Sequence, residues 1–375
     1  MLETEKLLRD LIALPSVNPA SLPPGDARAG EQRVGDFLAA LAARARLDVQ
    51  FREVFPKRRN LLASFSPGGR VKQRILLAPH LDTVNGTEEQ FNPRTRNGRL
   101  YGRGASDTKG SVTAMFAALC EMSRKGKRPT GTEIVFAGLI DEEGGQAGSR
   151  ALAADRFKAD LAIVGEPTRL KVVTAHKGLL WLRLETRGKS AHGARPELGK
   201  NAIHSMAQIV CLLQTHYTAQ LKRRRHPLLG SPTVNVGVIS GGTQPNIVPD
   251  CCSISVDRRT LPGETETSVR REILALLRQN GLEASCDDHK QAPCLPLETN
   301  PRLPLVAQLL RQFRQPKPAG VDYFCDAAIL AQGGIPSVAF GPGDIAQGHT
   351  ADEWISIAEV DRAKLMLVQF LRSLP

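Results

Sequence analysis

EIVFAGLIDEEGG (Glu133–Gly145) runs from an apolar stretch directly into three consecutive acids and a pair of glycines. A short apolar run closed by polar, Gly-rich residues reads as a strand buried on both faces. RILLAPH (Arg74–His80) and ADLAIVGEP (Ala159–Pro167) repeat the pattern, and GGIPSVAFGPG (Gly333–Gly343) returns to it late in the chain. Helical spacing fills the intervals at Ser111–Ser123 and about Ala147–Asp155, and a last helix covers about Ala358–Leu374. Strand–helix alternation predicts an α/β sheet covered by helices on both faces. Ligands of such sheets collect at the carboxyl ends of the strands. His80, Glu142, Glu143 and Glu166 fall at those ends.

The pattern changes near residue 176. KGLLWLRLETRGK (Lys177–Lys189) alternates, with Leu180, Leu182 and Leu184 on one face and Arg183 and Glu185 on the other. A long helix over about Asn201–Leu221, alternating strands in TVNVGVISGG (Thr233–Gly242) and CSISVDRRTL (Cys252–Leu261), and a helix over about Glu266–Gln279 follow. Strand, helix, two strands and helix predict a small α+β domain inserted at 176–290. Residues 1–175 and 291–375 then form the core domain. There is no internal repeat and no low-complexity tract.

Composition narrows the class. The 375 residues are 41% hydrophobic and 23% charged, which fits a soluble globular protein of two domains. No apolar run is long enough for a membrane span. MLETEKLLRDLIALPS at the start is acidic and amphipathic and predicts a first helix rather than a secretory signal. The seven cysteines are odd in number and contain no Cys-x-x-Cys, which argues against a disulfide framework or a thiolate metal site and for a reduced, cytoplasmic setting. The net charge of +12 is dispersed, with clusters at Lys57–Arg59 and Lys222–Arg225. Without interleaved aromatics such clusters read as solvated surface, and a nucleic-acid partner is not expected.

Five short stretches carry potential chemistry. In His80-Leu81-Asp82 the two polar side chains point the same way at a strand end, so Asp82 is placed to orient His80, a pairing common behind metal-binding histidines. Asp107 lies in GRGASDTKG (Gly102–Gly110) just before a helix, where a capping role is the plain alternative. Asp141, Glu142 and Glu143 repel one another unless a cation or protons intervene. Glu166 and His349 follow the third and last strands. Each piece alone is weak. Together they bring two histidines and several carboxylates to one sheet edge, a donor set suited to zinc, with cobalt or manganese as substitutes.

APHLDTV, GRLYGRGASDTKG, IDEEGG, VGEPT, GKSAHGARPELGKNAI, GGTQPNIVPD, DRRTLPGE and FGPGD…GHTADEW occur in this order along most of the chain. In these stretches the sequence resembles the co-catalytic metallohydrolases that include acetylornithine deacetylase, succinyl-diaminopimelate desuccinylase, aminoacylase and glutamate carboxypeptidase. The resemblance implies a zinc-peptidase-like catalytic domain and an inserted ferredoxin-like dimerisation or lid domain, hence a homodimer. It implies two Zn2+ ions, one held by His80 and Glu166, the other by Glu143 and His349, with Asp107 bridging them. It implies that Asp82 orients His80, that Glu142 is the general base, and that a cis peptide follows Asp107. The implied reaction is hydrolysis of an amide in an N-acyl amino acid or short peptide.

The same resemblance gives substrate roles to the insert. His192 matches a histidine that reaches the substrate carbonyl, from the neighbouring subunit in dimeric members, and Asn246 matches a residue that hydrogen-bonds substrate. Arg259 matches an arginine that clamps a substrate carboxylate, for which a guanidinium fork is well suited. The segment Tyr323–Ala327 is bulkier than the small-residue loop usual in relatives, and Cys325 there either lines the pocket or packs. Acetylornithine deacetylation comes first among the implied activities, then desuccinylation, then dipeptide or carboxypeptide cleavage. A catalytically silent binding protein on the same fold is the reading from another class.

Overall fold

The apolar runs form strands because their side chains are buried on both sheet faces. A computed structural model describes residues 3–124, 129–288 and 294–375. Its contacts divide the chain into two units, Met1–Thr174 with Thr299–Ala319 and Cys325–Pro375, and Ala175–Glu298 with Gly320–Phe324.

The first unit is an α/β layer structure. Strands β1 (Asp48–Phe55), β2 (Arg58–Phe65), β3 (Gln73–Pro79), β4 (Thr132–Gly138), β5 (Leu161–Gly165) and β6 (Ser337–Ala339) lie in the order β1-β2-β4-β3-β5-β6. Neighbours from β4 through β6 run parallel. The hairpin β1–β2 adds an antiparallel edge that sequence periodicity did not reveal. The helices of this unit include α1 (Thr4–Ile12), α2 (Gln32–Arg44), α3 (Gly110–Arg124), α4 (Ala147–Ala154), α5 (Ala327–Gln332) and α6 (Ile357–Arg372).

Helix α3 is apolar nearly all round and accordingly buried, whereas α1 buries only its Leu7, Leu8, Leu11 and Ile12 side. Leu61, Ile75, Leu77, Phe136 and Ile163 from the sheet pack with Val112, Met115, Phe116, Leu367 and Phe370 from α3 and α6. Phe116 meets Phe136 edge-on, ring centroids 5.3 Å apart. Burying one such ring stabilises the fold by roughly 1.5–3 kcal/mol.

The second unit is an antiparallel sheet in the order Thr233–Gly241, Cys251–Thr260, Gly178–Arg187, Ser285–Asp288. Leu182, Leu184, Ile254 and Val256 pack beneath helices Ala202–Leu212 and Glu266–Gln279 through Met206, Ile209 and Ile273. The fourth strand, Ser285–Asp288, is too short and polar to announce itself in the sequence. The chain leaves this unit at Glu298, against the 291 read from the sequence, because Leu297 and Glu298 still pair with His176 and Ala175. No helix among the described residues is long and apolar enough to cross a membrane.

Candidate metal centre

Strand β3 ends at Pro79 and delivers His80, 2% exposed, alongside Leu139 at the end of β4. His80 Nδ1 lies 3.0 Å from the backbone carbonyl of Asp82 and 3.4 Å from its carboxylate. With Nδ1 on that carbonyl, Nε2 faces outward, 3.1 Å from Asp107 Oδ1. The Asp82 carboxylate itself accepts the backbone N–H groups of Glu142 (3.1 Å) and Glu143 (3.0 Å) and the amide of Asn18 (2.7 Å). Asp82 therefore orients the acidic turn as much as the histidine.

Asp107 sits at the entrance to α3, and its peptide bond to Thr108 is cis, as the resemblance implies. Its loop is gripped by one buried carboxylate. Glu353 accepts from the backbone of Gly104 (3.0 Å), Ser106 (2.9 Å) and Asp107 (3.0 Å) and from Arg103 (2.8 Å). Glu353 follows His349 by one turn of chain, so it ties the Asp107 loop to the His349 loop. His349 Nε2 lies 3.0 Å from Glu143 Oε1 and 3.3 Å from Asp107 Oδ2.

The turn after β4 separates the three acids that the sequence left in mutual repulsion. Asp141 takes a left-handed backbone, φ 70°, and faces Asn18 and Arg58. Glu143 faces His349. Glu142 is buried, and burial together with Glu166, Asp326 and Glu143 pushes its carboxyl well above the usual range, against the pull of His80.

Glu166, after β5, is also buried, and burial with Asp107, Asp326 and Glu143 nearby pushes it well up. Burial opposes ionisation of Asp107, yet hydrogen bonds with His349 and His80 hold its carboxyl well below the usual range.

Donor atoms of His80, Asp107 and Glu166 lie within 4.8 Å of one another, and so do those of Asp107, Glu143 and His349. Asp107 is common to both trios. Two imidazoles and three carboxylates are a fitting donor set for divalent cations. Glu166 Oε1 supports the fit, being buried without a hydrogen-bond partner, a costly state for a carboxylate that a cation would relieve.

Sequence reasoning missed Asn18, Glu31, Arg58 and Glu353, which brace the trios. Their partners lie 27 to 250 positions away, so no local spacing signals them. Cys325, 1% exposed, packs, and burial followed by Glu166 keeps its thiol protonated.

His192, Asn246 and Arg259 are carried by the second unit. His192 and Asn246 are exposed neighbours, since Gly193 N–H donates to the Asn246 carbonyl (2.7 Å) and Ala194 N–H to His192 Nδ1 (3.1 Å). Arg259 is half-buried and held by Asp257 (3.0 and 3.3 Å), while Arg258 on the opposite face is fully buried against Tyr217 and Glu264. Part of the positive surplus is neutralised within each unit, Arg58 by Glu31 and Asp141, and Arg224 by Glu264 and Glu272.

A largely parallel sheet with an imidazole–carboxylate cluster at its strand ends defines the class, a metal-dependent amide hydrolase. The family model described as Peptidase family M20/M25/M40 matches residues 76–373, and the chain belongs to that family. It is 31% identical to the acetylornithine deacetylase of Edwardsiella ictaluri, over 97% of this chain and 96% of that protein. Among solved structures, the M20 family metallo-carboxypeptidase Sso-CP2 from Sulfolobus solfataricus superimposes with a TM-score of 0.77 at 18% identity, covering 99% of both chains. A dinuclear metal-binding M20 peptidase from Bacillus subtilis gives 0.70 at 14% identity, covering 98% of this chain and 96% of that one.

Proposed function

We propose that the chain releases the acyl group from an N-acyl amino acid, N-acetylornithine first, with one zinc ion held by His80, Asp107 and Glu166 and a second by Asp107, Glu143 and His349. The observation that carries this reading is the pair of donor trios sharing Asp107 beside a buried carboxylate, Glu142, that belongs to neither. End-to-end similarity to acetylornithine deacetylases supports the acyl amino acid substrate. The mixed imidazole and carboxylate donors suit zinc, with cobalt or manganese as substitutes.

Bound divalent cations supply Lewis acidity toward a carbonyl oxygen and lower the pKa of water. Glu142 takes the proton from the attacking water and passes it to the leaving amine. Asp82 keeps Glu142 and Glu143 on one turn and His80 in one tautomer. His192 and Asn246 contact the scissile amide, and Arg259 engages the substrate carboxylate through its planar fork.

The working form is a homodimer. The outer strand Thr233–Gly241 supports this, because its Val238 and Ile239 are 59% and 57% exposed on a sheet edge that is unpaired among the described residues. The seven free cysteines support a reducing, cytoplasmic setting.

The test is hydrolysis of N-acetyl, N-succinyl and other N-acyl amino acids, alongside dipeptides, by zinc- or cobalt-loaded protein. Turnover of N-acetylornithine above the rest supports the assignment. Cleavage of dipeptides alone makes the chain a peptidase, and no turnover of any substrate by metal-loaded protein leaves a binding role. Sedimentation of a monomer would remove the dimer.

A further inference from the structure

Beneath the acidic turn runs a chain of buried polar groups of which the proposed reaction has so far drawn only on Asp82. Arg58, the first residue of β2, sends Nε to Glu31 Oε2 (3.0 Å) and one terminal nitrogen to both Glu31 Oε1 (2.6 Å) and Asp141 Oδ1 (3.0 Å). Glu31 Oε1 also accepts the Asp141 backbone N–H at 3.1 Å. The amide nitrogen of Asn18 reaches Asp141 Oδ1 (3.1 Å) and Asp82 Oδ2 (2.7 Å), so one NH2 group links two carboxylates. Asp82 accepts the backbone N–H groups of Glu142 and Glu143. Glu31, Asn18 and Asp82 are each no more than 1% exposed, and Asp141 is 7% exposed.

The chain of contacts decides where the turn points. A left-handed aspartate is an unfavourable backbone unless its surroundings fix it. Here both ends of Asp141 are fixed, its N–H by Glu31 and its Oδ2 by the N–H groups of Gly145 (3.1 Å) and Ala147 (3.4 Å). Arg58 is the cation that lets Glu31 and Asp141 stay together in a buried place. Its fork matters as well as its charge, because three acceptor oxygens in different directions are met by one planar group.

We propose that Arg58 is a positioning residue of the metal centre, acting through Glu31, Asp141, Asn18 and Asp82 to set the stance of Glu142 and Glu143. It touches neither the donor trios nor the substrate. The inference rests on the assignment of Glu142 as base and Glu143 as ligand.

The test uses zinc ion alone as the first probe, with binding measured by chelator competition on the parent, Arg58→Lys, Asn18→Ala and the double variant. Arg58→Lys keeps the charge and removes the fork. The expected result is a loss of zinc affinity of about 10- to 100-fold in each single variant, the range typical of groups that orient ligands. In the double variant the losses fall well short of additive, because both residues act along one chain. On the best-turned-over N-acyl amino acid, kcat of metal-loaded Arg58→Lys falls about tenfold or more while KM changes little.

Zinc affinity and kcat at parental values, with only a lowered melting temperature, would reduce Arg58 to a brace of the edge hairpin and overturn the proposal. Should Arg58→Lys not fold, Asn18→Ala carries the same readouts, and parental values there overturn it equally. A parent that binds no second zinc, or a Glu142→Gln variant that turns over normally, refutes the assignment of the site instead.

Discussion

At the scale of single residues, the proposed site would separate metal holding from proton transfer. The donor trios take His80, Asp107, Glu143, Glu166 and His349, while Glu142 stands outside both although it adjoins Glu143 in sequence. The turn gives the two neighbours a common anchor, Asp82, while the Glu143 side chain faces His349. Glu142→Gln keeps the shape and the backbone anchor and removes the proton acceptor. It is expected to retain two zinc ions by elemental analysis and to lose kcat by about 10^2- to 10^4-fold. Near-parental turnover would remove Glu142 from the reaction.

At the scale of elements, the site depends on how tightly α4 seats against the strand that leads into the acidic turn. Gly148 marks the seam. Its N–H donates to the Ile140 carbonyl (3.0 Å), its carbonyl accepts from Asn60 (2.8 Å), and Asn60 Oδ1 accepts the Ile140 N–H (3.1 Å). A Cβ at position 148 would meet Asn60 Oδ1 and the Ile140 backbone at 2.6 Å. Gly148→Val is therefore expected to cost about 1–3 kcal/mol or more, as overpacking does, and to lower kcat by displacing Glu142. Urea unfolding and steady-state kinetics check both; an unperturbed variant would show that the seam yields without consequence.

The same seam shows what was legible beforehand. Strands β3, β4 and β5 could be read because buried strands are continuously apolar and their ends are marked by polar turns; those ends located His80, Glu143 and Glu166, whereas Asp107 lies ahead of a helix and His349 after the last strand of that sheet. Hairpin β1–β2 could not, since DVQFREVF and RRNLLASF mix charged and apolar residues without clean alternation. Asn18, Arg58 and Glu353 were hidden for a different reason. A brace is defined by its partner, and Glu353 meets Arg103 across 250 positions. The short strand Ser285–Asp288 is recognisable only once Gly178–Arg187 is there to pair with it.

At the scale of the whole molecule, metal binding and folding are linked. Buried Glu142, Glu143 and Glu166 resist ionisation by burial, so cations that neutralise the cluster favour the folded state. Zinc at about a thousand times its Kd adds roughly 4 kcal/mol to folding stability. Scanning calorimetry with and without a chelator should show a melting temperature lower by several degrees after metal removal. Identical melting curves would contradict the linkage.

A pH-dependent contribution to stability comes from His176 in the other unit. Burial holds this imidazole neutral and lowers its pKa from 6.5 to about 4. Between those values the unfolded chain binds more protons than the folded one, so stability is complete above about pH 6.5 and falls as pH drops toward 4, by up to roughly 3 kcal/mol. His176→Gln cannot take up that proton. The stability difference between parent and variant, followed by urea unfolding, should therefore shift in the variant's favour over that interval; a constant difference would show that His176 does not titrate on unfolding.

The two trios also differ in how far along the chain they must wait for completion. His80, Asp107 and Glu166 are all encoded in the first half, whereas the partner trio is closed by His349 near the end. During synthesis, one set of donors has left the ribosome long before the other is whole. A translation product truncated ahead of His349 can thus bring together only one of the two sets, and a divalent cation offered to the growing polypeptide would meet the proposed sites in a fixed order of availability.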